Sequence, residues 1–100
     1  SGLYEVESPM PEETVLSAAY PNPFNPTTTI SFGLDVDADV SIQVYNLQGR
    51  MVETLANQYM QAGYHSVTWN ADQHSSGVYF VRMIVAGKDI GTSQKLLLVK

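Results

Sequence analysis

Two histidines, His65 and His74, stand nine residues apart with Asp72 between them, and Ser75 and Ser76 follow His74 directly. Imidazole, carboxylate and hydroxyl are the groups of nucleophilic hydrolysis, and imidazole and carboxylate those of metal ligation. A triad, however, needs rigid partners brought together from separate elements. Here Asp72, His74, Ser75 and Ser76 share one polar loop, while His65 falls in a strand pattern. The stretch reads as solvated loop residues. A second candidate is Asp35-Val36-Asp37-Ala38-Asp39, with the D-x-D-x-D opening of a calcium loop. Counting onward, the turn glycine is replaced by Val40 and the bidentate glutamate by Asn46. An acidic hairpin turn that keeps a sheet edge soluble fits better, with a weak surface calcium site as the alternative. With no glycine-rich phosphate cradle and no defensible carboxylate pair, the sequence predicts no catalytic, cofactor or metal residue. Tyr45 and Phe80 should face outward if Val44 and Tyr79 face inward. A sugar-binding platform would need two or three coplanar rings, which spacing does not establish.

The elements that must position these residues are strands. Thr28, Ile30, Phe32 and Leu34 alternate with Thr29, Ser31 and Gly33, as a half-buried strand should. Val40, Ile42 and Val44 repeat the pattern; Arg50–Ala56 reads as a shorter, weaker strand, with at most a helical turn over Glu53–Met60. His65, Val67 and Trp69 share a face, as do Tyr79, Val81, Met83 and Val85, and Trp69 is placed as a central core residue. Asn70–Gly77 is a polar loop, and Gly87-Lys88-Asp89 turns the chain into a last strand over about Ile90 to Val99. Val15–Tyr20 is a short first strand. Pro21–Pro26 must be a stiff crossover that cannot sit mid-sheet, pinned to the core by Phe24. The fold class is therefore all-β: an immunoglobulin- or fibronectin-like antiparallel sandwich of about seven strands.

Composition narrows function further. One hundred residues make one domain, and 44% hydrophobic with 15% charged residues is ordinary for a globular chain. A net charge of -5 with five dispersed basic residues argues against nucleic acid and against docking to anionic lipid. No apolar run approaches the ~20 residues of a spanning helix, so no membrane insertion is expected. Zero cysteine removes disulfides and thiolate metal sites. Residues 1–13, acidic and proline-bearing, read as a linker from an upstream domain, and 14–100 as the folded unit.

The last strand is anomalous. Leu96 and Leu98 can point inward, which leaves Leu97 and Val99 outside, so both faces are apolar where an antiparallel edge normally keeps one polar. Either another segment or a central position covers the outer face, or a partner recognises it through edge addition or side-chain pockets.

Five blocks in order carry a resemblance: Tyr20–Phe32, Val40–Val52, Ala62–Asn70, Ser76–Val81 and Lys95–Lys100. The set resembles the C-terminal sorting domains of the type IX secretion system (type A), and the related immunoglobulin-like domain of flagellar hook-capping proteins. The resemblance implies a non-catalytic signal that carries an upstream cargo domain across the outer membrane of a Gram-negative bacterium. By the same resemblance the partners are the type IX translocon and a sortase-like cell-surface peptidase, which would cut within Glu5–Ser17 and attach the cargo to the cell surface. Asp35 stands where such sequences often have proline. Residues expected to be read by the translocon are Lys95, Leu97, Val99 and Lys100, supported by Gly77 and Tyr79. The rivals are a carbohydrate-binding accessory module and a structural assembly domain.

Overall fold

The computed structural model describes residues 10–100, apart from the side chains of Gly91 and Thr92. The expected linker lies mostly outside the described residues. Seven strands follow in order: β1 Val15–Leu16, β2 Thr27–Leu34, β3 Ala38–Asn46, β4 Met51–Met60, β5 Gly63–Asn70, β6 Gly77–Val85 and β7 Lys88–Leu98. They form two antiparallel sheets, β1-β2-β5 and β4-β3-β6-β7, and no helix occurs among the described residues. This is the expected all-β sandwich.

Its core is built by the alternations read from the sequence. Ile30, Phe32 and Leu34 of β2 face Val40, Ile42 and Val44 of β3 and Val81 and Met83 of β6, all but sealed from solvent. Trp69 is 1% exposed, with Phe24 and Tyr79 at ring-centroid distances of 5.6 and 5.2 Å. Such offset and edge-on rings add attraction beyond burial alone.

Three expectations need correction. The strand drawn as Arg50–Ala56 runs on to Met60, and no turn occupies Glu53–Met60. This strand is an edge whose single buried residue is Met60, so its sequence lacks the alternation that marks half-buried strands. The β6–β7 turn sits at Ala86-Gly87, with φ of 52° and 81°, and Lys88 and Asp89 already belong to β7. Positive φ at both central residues is what a two-residue hairpin requires. The first strand covers only Val15–Leu16; Tyr20 rejoins the sheet as an isolated bridge to Thr29.

The proline segment behaves as a clamp between the layers. Its three X–Pro bonds, before Pro21, Pro23 and Pro26, are cis. Phe24 is 2% exposed and forms a parallel bridge to Leu98 of β7. Upstream, buried Pro11 packs on Gly33, and Thr14 Oγ1 donates to Asp35 Oδ1 at 2.6 Å.

Candidate functional site

The residues expected to be read by a partner gather at one end of the β4-β3-β6-β7 sheet. Register sets Gly77 opposite Leu98, Val78 opposite Leu97, Tyr79 opposite Leu96 and Phe80 opposite Lys95. Strict alternation then sends Tyr79, Leu96 and Leu98 into the core and leaves Leu97 and Val99 outside. Tyr79 is therefore structural: its ring abuts Trp69, and its hydroxyl donates to Ser75 O at 2.6 Å. Gly77, at φ 152°, opens β6 where an L side chain would be strained.

Lys100 is exposed but anchored. Its ammonium donates to the carbonyls of Asp72 and His74 at 2.7 and 3.0 Å, and its backbone N–H donates to Ser76 Oγ at 3.1 Å. The polar loop between β5 and β6 thus serves as a dock for the end of β7. Of the six residues singled out, Lys95, Leu97 and Val99 present exposed side chains on the outer face, while Lys100 is exposed but tethered.

The catalytic candidates disperse. His74 Nε2 meets Glu53 Oε1 of β4 at 3.3 Å, and its ring lies 5.5 Å from Trp69. His65 stacks on Phe32 and its Nε2 is 2.7 Å from Gln61 O. The acidic run ties down neighbours: Asp37 Oδ1 accepts from the Ala62 N–H at 2.7 Å, and Asp35 accepts from Thr14. Among the described residues no group of three or more potential metal ligands forms.

Tyr45 and Phe80 do face outward, paired across β3 and β6. They are not a coplanar platform, because Arg82 covers the Tyr45 ring with its Cζ 5.2 Å from the centroid. Arg82 is also bound to Asp89, whose hydrogen bonds and charge raise the guanidinium pKa further. A hollow of about 390 Å³ opens there, lined by Tyr45, Leu47, Phe80, Arg82, Asp89 and Ser93.

Sequence reasoning missed Asn22. Its side-chain amide donates to Lys95 O at 2.8 Å and accepts from the Leu97 N–H at 3.0 Å. No local signal could have found it, because an asparagine between two prolines is also an ordinary turn residue.

The ordered blocks and this fold together place the chain among known proteins. The sequence profile described as a secretion system C-terminal sorting domain matches residues 18–99. The chain belongs to that family. A sorting domain of this kind is a C-terminal signal of type IX secretion, and the family is non-catalytic in general. It implies secretion and surface localisation of the cargo in Gram-negative bacteria, and interaction with the type IX system. No curated protein matches the sequence.

Solved structures resemble the sorting domain in fold. Dimeric latent PorU from Porphyromonas gingivalis aligns with TM-score 0.68 at 19% identity, over 96% of this chain and 10% of that one. PorZ, described as an essential bacterial surface component of the type-IX secretion system of the same species, aligns with TM-score 0.57 at 22% identity, over 87% and 11%. The chain thus spans about a tenth of each.

Proposed function

We propose that the domain is a non-catalytic address that delivers an upstream cargo through the periplasm, across the outer membrane and onto the cell surface. Residues 1–13 serve as the linker and 14–100 as the signal. Lys95, Leu97, Val99 and Lys100 are read by the translocon, with Gly77 and Tyr79 holding the last strand in place. A sortase-like surface peptidase cuts within Glu5–Ser17, ahead of the main body of the fold.

The observation that carries this reading is the family match over residues 18–99, joined to an outward apolar pair on the final strand. No observation favours a carbohydrate-binding module or an assembly domain. Deleting Leu96–Lys100 from a full-length cargo should strand it in the periplasm, read by cell fractionation. Normal export of the truncated cargo overturns the proposal.

A further inference from the structure

A strand at the border of a sheet ordinarily offers unpaired N–H and C=O groups to an incoming strand. β7 borders its sheet, yet its terminal edge is closed. Asn22 takes the Lys95 carbonyl and the Leu97 N–H. Phe24 takes the next pair, donating to Leu97 O at 3.0 Å and accepting from the Val99 N–H at 2.9 Å. On the opposite side, Leu96 and Leu98 are laddered to Tyr79 and Gly77 of β6. From Lys95 to Val99 the chain's own crossover holds the place an added strand would need.

What remains open is the outer face. Leu97 is 38% and Val99 47% exposed, and half-buried Val78 and Phe80 lie beside them on β6. Charge is also segregated. All five basic residues stand at Arg50 or beyond, whereas seven of the ten acidic ones precede Val40. Lys95 projects from this face next to the apolar strip, opposite Phe80, whereas Arg82, further along β6 on the same face, is neutralised by its pairing with Asp89.

We propose that the secretion machinery reads this domain in its folded state, through the outer-face side chains of Val78, Lys95, Leu97 and Val99, and not by adding a strand to β7. The partner is a protein surface with an apolar groove and a carboxylate placed for Lys95, the complement of an apolar strip that carries one exposed lysine on an otherwise acidic chain. This rests on the sorting role proposed above. Strand addition draws its affinity from main-chain hydrogen bonds, so it gains from an open edge.

The full chain is fused behind a reporter and expressed in a type IX-competent bacterium, with thermal melts confirming the fold. Lys95→Glu and Leu97→Asp should each lower the export rate by roughly tenfold, equivalent to about 1.4 kcal/mol of recognition. Leu97→Thr, which keeps strand propensity, should lower export in the same direction, and Lys95→Arg should restore it. Asn22→Ala, which opens the edge, should give no gain. Parental export of Lys95→Glu and Leu97→Thr overturns the inference, as does faster export of Asn22→Ala. Deletion of Leu96–Lys100 separates the two readings: if the deletion is exported, the sorting role itself fails. If the deletion is blocked while the face variants pass, only the folded-state inference fails.

Discussion

Asn22→Ala tests the clasp most directly, because one side chain supplies both hydrogen bonds. A carboxamide has the donor and acceptor of a peptide group, so Asn22 stands in for one residue of a missing neighbouring strand. It spans Lys95 O at 2.8 Å and the Leu97 N–H at 3.0 Å, and the Phe24 backbone continues the pairing. Each neutral bond contributes about 0.5–1.5 kcal/mol net. The groups left behind are exposed and water replaces the amide, so no desolvation penalty adds to the loss. The expected destabilisation is roughly 1–3 kcal/mol, which lowers the melting midpoint of a domain this size by about 4–24 °C. The residue-level signature is sharper. Leu97 loses its acceptor while the Val99 N–H keeps Phe24 O, so amide exchange by NMR should accelerate about 5–30-fold at Leu97 and less at Val99. An unchanged melting midpoint with unchanged Leu97 protection refutes the argument that Asn22 closes this edge.

Two further substitutions probe the frame around the site. Ala86 holds φ 52° beside Gly87 at 81°, a left-handed geometry that alanine adopts at a cost of about 1–2 kcal/mol and asparagine tolerates. Ala86→Asn should therefore stabilise by roughly 0.5–1 kcal/mol in urea unfolding, and a loss of stability contradicts the turn assignment. A Cβ added at Gly33 would lie 3.1 and 3.2 Å from Pro11 Cγ and Cβ, so Gly33→Val should lift the entry segment off β2. Cleavage at Glu12 and Glu13 by a glutamate-specific protease should then speed up, because cutting tracks the open population. Unchanged cleavage would mean that Pro11 does not hold the segment.

The legible parts of this molecule are those fixed by local pattern. Period-two runs at Thr28–Leu34, Val40–Val44 and Tyr79–Val85 each bury one face, so burial and sequence carry the same information. Phe24, the one large apolar group among three prolines, could be assigned to the core on the same logic. β4 is legible only as far as Ala56, because an edge strand with one buried side chain is under little hydrophobic constraint. The site divides in the same way. The outward pointing of Leu97 and Val99 follows from alternation, whereas the tethering of Lys100 depends on two carbonyls of a loop 26 and 28 residues away.

The clasp is the extreme case, and it decides which recognition modes are open to the last strand. Asn22 bonds residues 73 and 75 positions downstream. An asparagine between prolines is also an ordinary turn residue, so nothing local distinguishes the two roles. The amide acquires its partners only when β7 docks on β6 and brings Lys95 O and the Leu97 N–H alongside the crossover. Edge closure is thus a property of the finished sandwich, present only once both ends of the matched region have met. A partner that needs a bare edge would meet it only in an incompletely folded chain. One that needs Lys95 and Leu97 on a fixed outer face would meet them only in a folded one, so the same contact that hides the backbone also fixes the side chains on view.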